Sequence, residues 1–426
     1  MNKAIVRFPY GREYMEYDFA AENFQGTLVS SLHGYKSALQ GEALIRAAMD
    51  APVGTPRLSE LAKGKKNIVL IASDHTRPVP SKIIVPPMLA EIRETAPDAE
   101  ITILIATGCH RDTTREELVA KFGEEIVARE HIVVHDATDE SMLVHLGTLP
   151  SGGALRINRL AAEADLLISE GFIEPHFFAG FSGGRKSVLP GVAARETVLA
   201  NHCSEFIAHP KARTGVLEDN PIHRDMLWAA KRAGLAYIVN VVIDENKEAI
   251  FAVAGDVEKA HLAGCNFLSK LCRVAPIPAD VVISTNGGYP LDQNIYQSVK
   301  GMTAAEATVR EGGVIIMLSK CNDGHGGEGF YRQLADESDI QKTMDVFLSR
   351  GRNETVPDQW QTQIFLRILK RATVIFVSDA PDDMVRDMHM IPAHSVGEAL
   401  QKAKEILKNK TPTVTAIPDG VAVMVV

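Results

Sequence analysis

The chain has 426 residues, which predicts two or three domains at roughly 150 residues per domain. Charged residues make up 23% and apolar residues 46%, and 45 basic against 54 acidic residues give a net charge of −9. This composition excludes a disordered, collagen-like or coiled-coil chain. The acidic balance argues against a nucleic-acid partner, which would need a basic surface.

Cysteine usage and hydropathy indicate the compartment. Five cysteines without a C-x-x-C pair do not fit a disulfide framework and favour a reducing environment. No apolar run approaches the roughly 18 residues of a membrane span, and the first residues contain no apolar signal-peptide core. We therefore expect a cytoplasmic protein with no membrane partner.

Strand, polar loop and helix alternate along the first part of the chain. Residues 1–18 predict a hairpin around a PYGR turn, and residues 41–50 predict a helix. Short apolar runs predict buried strands at 67–73, 100–108, 131–135 and 164–171. This alternation is typical of βαβ units, so we predict a mostly parallel sheet with ligands beyond its carboxyl edge.

A proline-containing stretch, CRVAPIPAD (272–280), predicts a domain boundary. Beyond it, VVIST, GVIIML and ATVIFVSD alternate with helices, the first of which begins near Gln293. We predict an N-terminal α/β domain over 1–271 and a C-terminal α/β domain over 272–409. The last strand-like segment, DGVAVMVV within 410–426, could belong to either. The predicted fold class is α/β, with two domains of mostly parallel sheets and an active-site cleft between them.

Two polar loops follow neighbouring predicted strands. DHTRPVP places Asp74, Thr76 and Arg77 after the first strand, and GCHR places His110 after the next. One such loop is as compatible with a simple polar turn as with anion binding or proton transfer. Two loops at the same edge favour function, because histidine is the side chain best suited to proton transfer near neutral pH.

The segment GFIEPHFFAGFSGGRKSVLPG (171–191) is the richest in chemistry. Its glycines allow a close approach to a phosphate, and Lys186 follows them. The Walker pattern fails, because Arg185 stands where the template requires glycine. A phosphate-bearing cofactor remains compatible with this segment, and a mobile surface loop is the alternative.

Other candidates are weaker when they are taken singly. His202 is a possible metal ligand, but a lone histidine is more often packed or solvated. His131 and His135 lie roughly 13 Å apart if they belong to one strand, too far to share an ion. Tyr296 and Lys300 share a helix face. The acidic stretch at 379–389 is typical of a capped, solvated helix.

Together these segments resemble the nickel-dependent lactate racemases and their 2-hydroxyacid racemase and epimerase relatives. The pieces that carry the resemblance lie between about residues 73 and 363: SDHTRPVPS, ATGCHR, EPHFFAGFSGGRKSVLPG, the NH of NHCSEF, YPLDQNIYQSVKG and PDQWQTQ. The family fold is two α/β domains with the active site between them, as predicted above.

The resemblance implies a cofactor, pyridinium-3-thioamide-5-thiocarboxylic acid mononucleotide, which binds nickel as a pincer. By motif position Lys186 carries it covalently and His202 is the nickel ligand, which reverses the preference for a packed histidine. We expect Ser182, Gly183 and Gly184 to hold the phosphate of this cofactor. Thr76 is also expected to contact the cofactor. Proteins of cofactor biosynthesis are then expected partners.

The resemblance also implies a reaction: a hydride moves reversibly from a 2-hydroxyacid to the cofactor, and two histidines handle the hydroxyl proton. The implied residues are His110 and His176 as bases, Asp74 and Arg77 beside them, Arg77, Gln297 and Lys300 at the substrate carboxylate, and Tyr296 and Trp360 as pocket walls. Without the resemblance, Trp360 would be assigned to a core. We expect a small acid such as lactate.

Three alternatives remain open at this point. The substrate could be malate, an aryl-lactate or a sugar acid. In another class, the glycine-rich loop could belong to a phosphate- or nucleotide-binding transferase. The chain could also be a non-catalytic binding protein, although that would leave the convergent histidines without a purpose.

Overall fold

The computed structural model describes residues 5–426, which form two compact units. The N-terminal unit contains residues 32–202 and 209–270, and the C-terminal unit contains residues 5–31, 203–208 and 271–426. Residues 1–4 of the predicted hairpin lie outside the described residues, and the rest of it is confirmed, since Ile5 pairs with Asp18 and Tyr10 with Glu13.

The elements follow the chain in three stretches. Before residue 32 come β1 (Ile5–Tyr10), β2 (Glu13–Asp18) and β3 (Asn23–Thr27). The strands of the middle stretch are β4 (Asn67–Ser73), β5 (Glu100–Ala106), β6 (His131–Val134), β7 (Leu143–Thr148), β8 (Ala154–Asn158), β9 (Leu166–Phe172), β10 (Pro175–His176), β11 (Gly180–Phe181), β12 (Leu235–Ile243) and β13 (Ala249–Gly255). Its helices are α1 (Gly41–Asp50), α2 (Leu58–Ala62), α3 (Ser81–Thr95), α4 (Arg115–Phe122), α5 (Glu124–Arg129), α6 (Arg159–Ala162), α7 (Arg195–Asn201), α8 (Ser204–Ala208), α9 (Pro221–Arg232) and α10 (Lys259–Cys272).

The last stretch contains the remaining elements. Its strands are β14 (Arg273–Val274), β15 (Ala279–Thr285), β16 (Val309–Leu318), β17 (Thr373–Val377), β18 (Ile391–Ala393), β19 (Thr413–Ile417) and β20 (Met424–Val425). Its helices are α11 (Ile295–Glu306), α12 (Glu328–Ala335), α13 (Ile340–Ser349), α14 (Gln359–Arg371), α15 (Asp382–Asp387) and α16 (Val396–Leu407).

The N-terminal unit is built on a six-stranded sheet in the order β13-β12-β9-β4-β5-β6. Its neighbouring strands are parallel except for the edge pair β12–β13. Residues 68–72 of β4 are all buried, as expected for an apolar run that is covered on both faces. From β4 the chain moves outward to β5 and β6, and from β9 it moves outward to β12 and β13 on the other side. The strand order therefore reverses between β4 and β9.

The C-terminal unit has a second six-stranded sheet, β18-β17-β16-β15-β19-β3, in which all neighbours are parallel. The α/β fold class with mostly parallel sheets is thus confirmed. The predicted boundaries differ from the units observed. Because β3 pairs with β19, residues 5–31 lie in the C-terminal unit rather than in a domain over 1–271.

The final segment belongs to one of the two domains that the sequence left open, and its strand is shorter than predicted. Within DGVAVMVV only Met424–Val425 form a strand, which pairs with β14, and the sheet strand β19 comes earlier in the sequence. The segment 410–426 belongs to the C-terminal unit and does not return to the first sheet. Across residues 5–426, no helix has the length and apolar character that crossing a bilayer requires.

The placement of the first residues in the C-terminal unit predicts the effect of Phe19→Ala. Phe19 is 1% exposed and stacks on Phe24 with ring centroids 4.6 Å apart. Removal of its ring should lower the free energy of unfolding by about 3–5 kcal/mol, measured by denaturant titration. Tyr14→Ala is the control, because Tyr14 is 56% exposed and its loss should cost less than about 0.5 kcal/mol. Equal effects would contradict the packing described.

Candidate active site

Asp74 and His110 form a hydrogen-bonded pair beyond the carboxyl ends of β4 and β5. Asp74 Oδ2 lies 2.7 Å from His110 Nδ1. Asp74 Oδ1 accepts the Thr76 hydroxyl at 2.7 Å and the Thr76 N–H at 3.2 Å. The Asp74 side chain is buried, whereas that of His110 is 44% exposed. The carboxylate is therefore fixed inside the loop while the imidazole remains accessible.

This pairing decides which nitrogen of His110 can take up a proton. Burial alone would raise the pKa of Asp74, but the hydrogen bond and charge of His110 outweigh it and lower that pKa to about 2. The ionised carboxylate accepts the Nδ1–H, which leaves a lone pair on Nε2. His110 can therefore act as a base through Nε2, oriented by Asp74.

Arg77 completes this first group. Arg77 is exposed, and its guanidinium Nη1 donates a hydrogen bond to Thr76 Oγ1 at 3.0 Å. Lys121 Nζ donates to the Arg77 carbonyl at 3.4 Å and so supports the loop from α4. An accessible guanidinium beside a histidine base can bind a carboxylate through two parallel hydrogen bonds.

A second group lies on the loop that follows β9. Here β10 and β11 pair as a two-residue ladder, and a 3₁₀ turn spans Gly184–Ser187. Lys186 Nζ lies 3.2 Å from His176 Nε2, and His176 Nδ1 accepts the Ala179 N–H at 3.3 Å. The Phe178 ring lies beside both groups, 4.5 Å from the His176 ring and 5.7 Å from Lys186 Nζ.

His202 ends α7 and belongs to the same group. It is 5% exposed, its ring lies 5.2 Å from that of Phe178, and its Nδ1 lies 2.9 Å from the Val198 carbonyl oxygen. Burial, together with the charge of Lys186, lowers the pKa of His202 to about 3. The ring is therefore neutral, donates its Nδ1–H to Val198, and keeps a lone pair on Nε2.

This donor set fits a metal ion that obtains most of its ligands from a cofactor. A metal-ligating histidine commonly donates its second ring N–H to a carbonyl, as His202 does. In the part of the chain that the structure describes, no group of three or more His, Cys, Asp or Glu side chains could hold an ion. Protein atoms alone would leave such a metal under-coordinated, and Lys186 supplies the amine to which a cofactor could be joined.

The glycine-rich part of the loop makes internal contacts. Ser182 Oγ donates to the Phe172 carbonyl at 3.0 Å and accepts the Glu174 N–H at 2.9 Å, and the Gly184 N–H donates to Asn240 Oδ1 at 2.7 Å. A Cβ on Gly183 would lie 2.8 Å from Asn240 Oδ1, and one on Gly184 would lie 2.7 Å from the His261 ring. These glycines are thus required for packing, and their contact with a phosphate stays a prediction.

The two groups share the carboxyl edge of the first sheet. The Gly108 N–H, in the loop that carries His110, donates to the Gly191 carbonyl at 2.9 Å. Gly191 closes the lysine loop, because a Cβ there would lie 2.2 Å from the Ser187 carbonyl oxygen. The structure therefore brings together the predicted residues of the N-terminal unit: Asp74, Thr76, Arg77, His110, His176, Ser182, Gly183, Gly184, Lys186 and His202.

Four predicted residues lie in the C-terminal unit. Tyr296, Gln297 and Lys300 are on α11, where Asn294 caps the helix by accepting the Gln297 N–H at 3.0 Å. The Tyr296 ring lies 5.2 Å from that of Phe330. Trp360 on α14 is only partly buried, which does not fit a core position.

Family models for two domains match the chain. The lactate racemase N-terminal domain matches residues 10–215, and the lactate racemase C-terminal domain matches residues 274–425. The chain belongs to the lactate racemase family. The lactate racemase of Thermoanaerobacterium thermosaccharolyticum is 56% identical over 423 residues, 99% of each chain. That of Lactiplantibacillus plantarum is 55% identical over 421 residues, also 99% of each.

Solved structures agree with this assignment. The lactate racemase apoprotein of T. thermosaccharolyticum superposes with a TM-score of 0.96 at 56% identity, covering 99% of this chain and 100% of that one. A Thermotoga maritima protein at 19% identity shares the fold, with a TM-score of 0.64 over 90% of this chain and 98% of that one. The predicted family, and with it an isomerase of the racemase type, are confirmed.

The sequence did not reveal what holds the lysine loop of this lactate racemase family member. Arg185 is fully buried, and its Nη2 donates to the Ala179 carbonyl at 2.7 Å while its Nε donates to His223 Nδ1 at 3.0 Å. Its Nη1 lies 3.0 Å from His261 Nε2. In the sequence, only the mismatch with the Walker template drew attention to Arg185. His223 and His261 lie far from it in the sequence, and no motif marked them.

His223, which is partly buried, and His261, which is buried, predict a loss of stability in acid. Burial, followed by the charge of Arg185, lowers the pKa of His223 from 6.5 to about 3 and holds the pKa of His261 well below 6.5. Between pH 6.5 and 3 the unfolded chain binds protons that the folded chain does not, so the free energy of unfolding falls as the pH decreases.

His223→Gln tests this origin, because a glutamine oxygen can still accept the Arg185 Nε–H. Below pH 6.5 the unfolding free energy of this variant should fall less steeply than that of the wild type, by up to about 1.4 kcal/mol per pH unit. Denaturant titrations between pH 7 and pH 4 measure the slope, and identical slopes would count against a His223 that is neutral in the folded chain.

Proposed function

We propose that the chain interconverts D- and L-lactate. The observation that carries this proposal is the full-length match, at 55–56% identity, to two lactate racemases. The site supports it, because two histidines with different partners, an accessible arginine and a lysine meet at one edge of a sheet. A phosphate- or nucleotide-binding transferase finds less support, since the Walker pattern fails and both lactate racemase domain models match the chain.

We propose that the cofactor is nickel held by pyridinium-3-thioamide-5-thiocarboxylic acid mononucleotide. Lys186 would carry it covalently and His202 Nε2 would bind the nickel. When bound, this group supplies a carbon that reversibly accepts hydride from the substrate. Its loading would depend on the cofactor-biosynthesis proteins, which we place with this chain in the cytoplasm.

The chain's own residues then handle the hydroxyl proton. His110 Nε2 would accept it from one enantiomer while Asp74 stabilises the imidazolium, and His176 would do the same for the other enantiomer. Removal of this proton, together with departure of the hydride from the same carbon, would leave a planar ketone, to which a hydride can return on either face. Each histidine later returns a proton, so the base for one hand is the acid for the other.

The remaining proposed contacts bind substrate and cofactor. Arg77 would bind the lactate carboxylate, and Gln297 and Lys300 are proposed for the same task. Tyr296 and Trp360 would limit the space beside the methyl group, which disfavours malate, aryl-lactates and sugar acids. Thr76, whose hydroxyl already bridges Asp74 and Arg77, is proposed to contact the cofactor.

Intact mass measurement tests the cofactor assignment. Protein made together with the cofactor-biosynthesis proteins should carry a covalent adduct that peptide mapping assigns to Lys186, and Lys186→Ala should lose both adduct and racemisation. Lys211→Ala is a matched control, since Lys211 is an exposed lysine of the same unit. A wild-type chain without an adduct, from a host that loads another lactate racemase, would overturn the assignment.

Asp74→Asn tests the role of the carboxylate. The amide is nearly isosteric but lacks the charge that stabilises protonated His110, so racemisation should slow roughly 100-fold or more. The adduct on Lys186 should persist, which separates this effect from a loss of cofactor. Racemisation within a few-fold of the wild type would show that His110 does not depend on Asp74.

A further inference from the structure

Glu170 lies where the strand order of the first sheet reverses. Glu170 is on β9, and the strand next to β9 at this reversal is β4, whose carboxyl end lies beside Glu170. In open α/β sheets, ligands bind beyond the carboxyl ends of the strands at such a reversal, because the connections leave it in opposite directions and open a crevice. Glu170 is a buried acid at this point, and the mechanism above does not use it.

Only one of its two carboxylate oxygens is satisfied. Oε1 accepts the Ser73 N–H at 2.8 Å and the Ser73 hydroxyl at 2.9 Å, which fixes the orientation of the carboxylate. Oε2 is buried, and no described residue donates a hydrogen bond to it. The residue as a whole is 2% exposed.

A buried carboxylate oxygen such as Glu170 Oε2 needs a hydrogen-bond donor. A buried acceptor without a hydrogen bond is costly, and such atoms in native proteins commonly mark a position that a ligand or water fills. Lys121 is close enough for its charge to interact with that of Glu170, but the hydrogen bond of its Nζ goes to the Arg77 carbonyl at 3.4 Å. We therefore consider a hydrogen-bond donor on a bound ligand as the missing partner of Oε2.

We propose that Glu170 Oε2 accepts a hydrogen bond from a ribose hydroxyl of the mononucleotide cofactor, an inference that rests on the cofactor assigned above. A carboxylate oxygen repels a phosphate or a thiocarboxylate, so among the parts of a mononucleotide it selects the hydroxyls. Acids near the strand ends of dinucleotide-binding sheets accept ribose hydroxyls in the same way.

The place of Lys186 agrees with this assignment. The 3₁₀ turn Gly184–Ser187 packs against both β9 and β4, the two strands that Glu170 links. A cofactor joined to Lys186 would therefore begin above this junction. Glu170 would hold the ribose while the lysine holds the ring, which gives the cofactor a second anchor in the chain.

Binding of two probes by the full-length, unloaded chain tests the contact. The probes are nicotinic acid mononucleotide and its analogue that lacks both ribose hydroxyls, and the readout is the Kd from titration calorimetry. Loss of the hydroxyls should weaken wild-type binding roughly ten-fold or more. Glu170→Gln, which removes the charged acceptor and leaves at most a weaker bond from its amide N–H to the hydroxyl oxygen, should weaken binding of the complete probe and leave the analogue unaffected.

Glu91→Gln is a matched control. Glu91 is 4% exposed, and its Oε1 also accepts a serine N–H and hydroxyl, those of Ser59, each at 3.1 Å. It lies near the end of α3, which runs away from the carboxyl edge. Glu91→Gln should bind both probes like the wild type. Glu170→Asp, which retracts the carboxylate, is a second variant if the glutamine variant does not fold.

The outcomes separate this contact from the cofactor assignment. Equal weakening for both probes in Glu170→Gln would mean a structural role and would overturn the contact, as would a wild-type chain that ignores loss of the hydroxyls. If these results came with an adduct on Lys186, only the ribose contact would fall. A wild-type chain that binds neither probe and carries no adduct would overturn both.

Discussion

The buried guanidinium of Arg185 is the interaction on which the geometry of Lys186 and His176 depends. It donates to the Ala179 carbonyl and to His223, and no carboxylate among residues 5–426 forms an ion pair with it. Neutral acceptors replace an ion pair, which leaves the positive charge uncompensated inside the loop. The loop is thereby ordered, and its environment favours anionic groups. An arginine is needed here because its planar fork reaches several acceptors at once, which a lysine cannot do.

The strand order explains why residues distant in sequence meet. Parallel strands deliver their carboxyl ends to one edge, so the loops after β4, β5 and β9 converge there without any local pairing signal. Different contacts hold these loops. The hydroxyl and N–H of Thr76 donate to Asp74, and Arg185 holds the lysine loop. The two loops are joined by the hydrogen bond from the Gly108 N–H to the Gly191 carbonyl. The reactive side chains are thus carried by loops but positioned by buried groups.

Some elements were predictable, since the apolar run 67–73 matches β4 and the predicted helix 41–50 matches α1. His110 and Lys186 were already candidates because of the loops that carry them, whereas His202 was preferred as a metal ligand only through the family motifs. Two things were out of reach. The pairing of β3 with β19 joins residues nearly 400 positions apart in the chain, and no local pattern encodes such a partner. The glycines at 183 and 184 indicate a phosphate contact, which stays a prediction, and no sequence pattern showed that they also pack closely against Asn240 and His261.

The two proposed bases have different partners: His110 has the Asp74 carboxylate, whereas His176 lies beside Lys186, whose amine would become the link to the cofactor. This asymmetry cannot favour one enantiomer overall. Mirror-image substrates have equal free energies in water, so the equilibrium constant is unity and kcat/KM must be the same in both directions at every pH. Each direction uses one histidine as base and the other as acid, and therefore damage to either one slows both. The unequal environments of the two histidines can therefore change only the separate values of kcat and KM in the two directions. They do so because each enantiomer requires a different protonation state of the histidine pair when it binds.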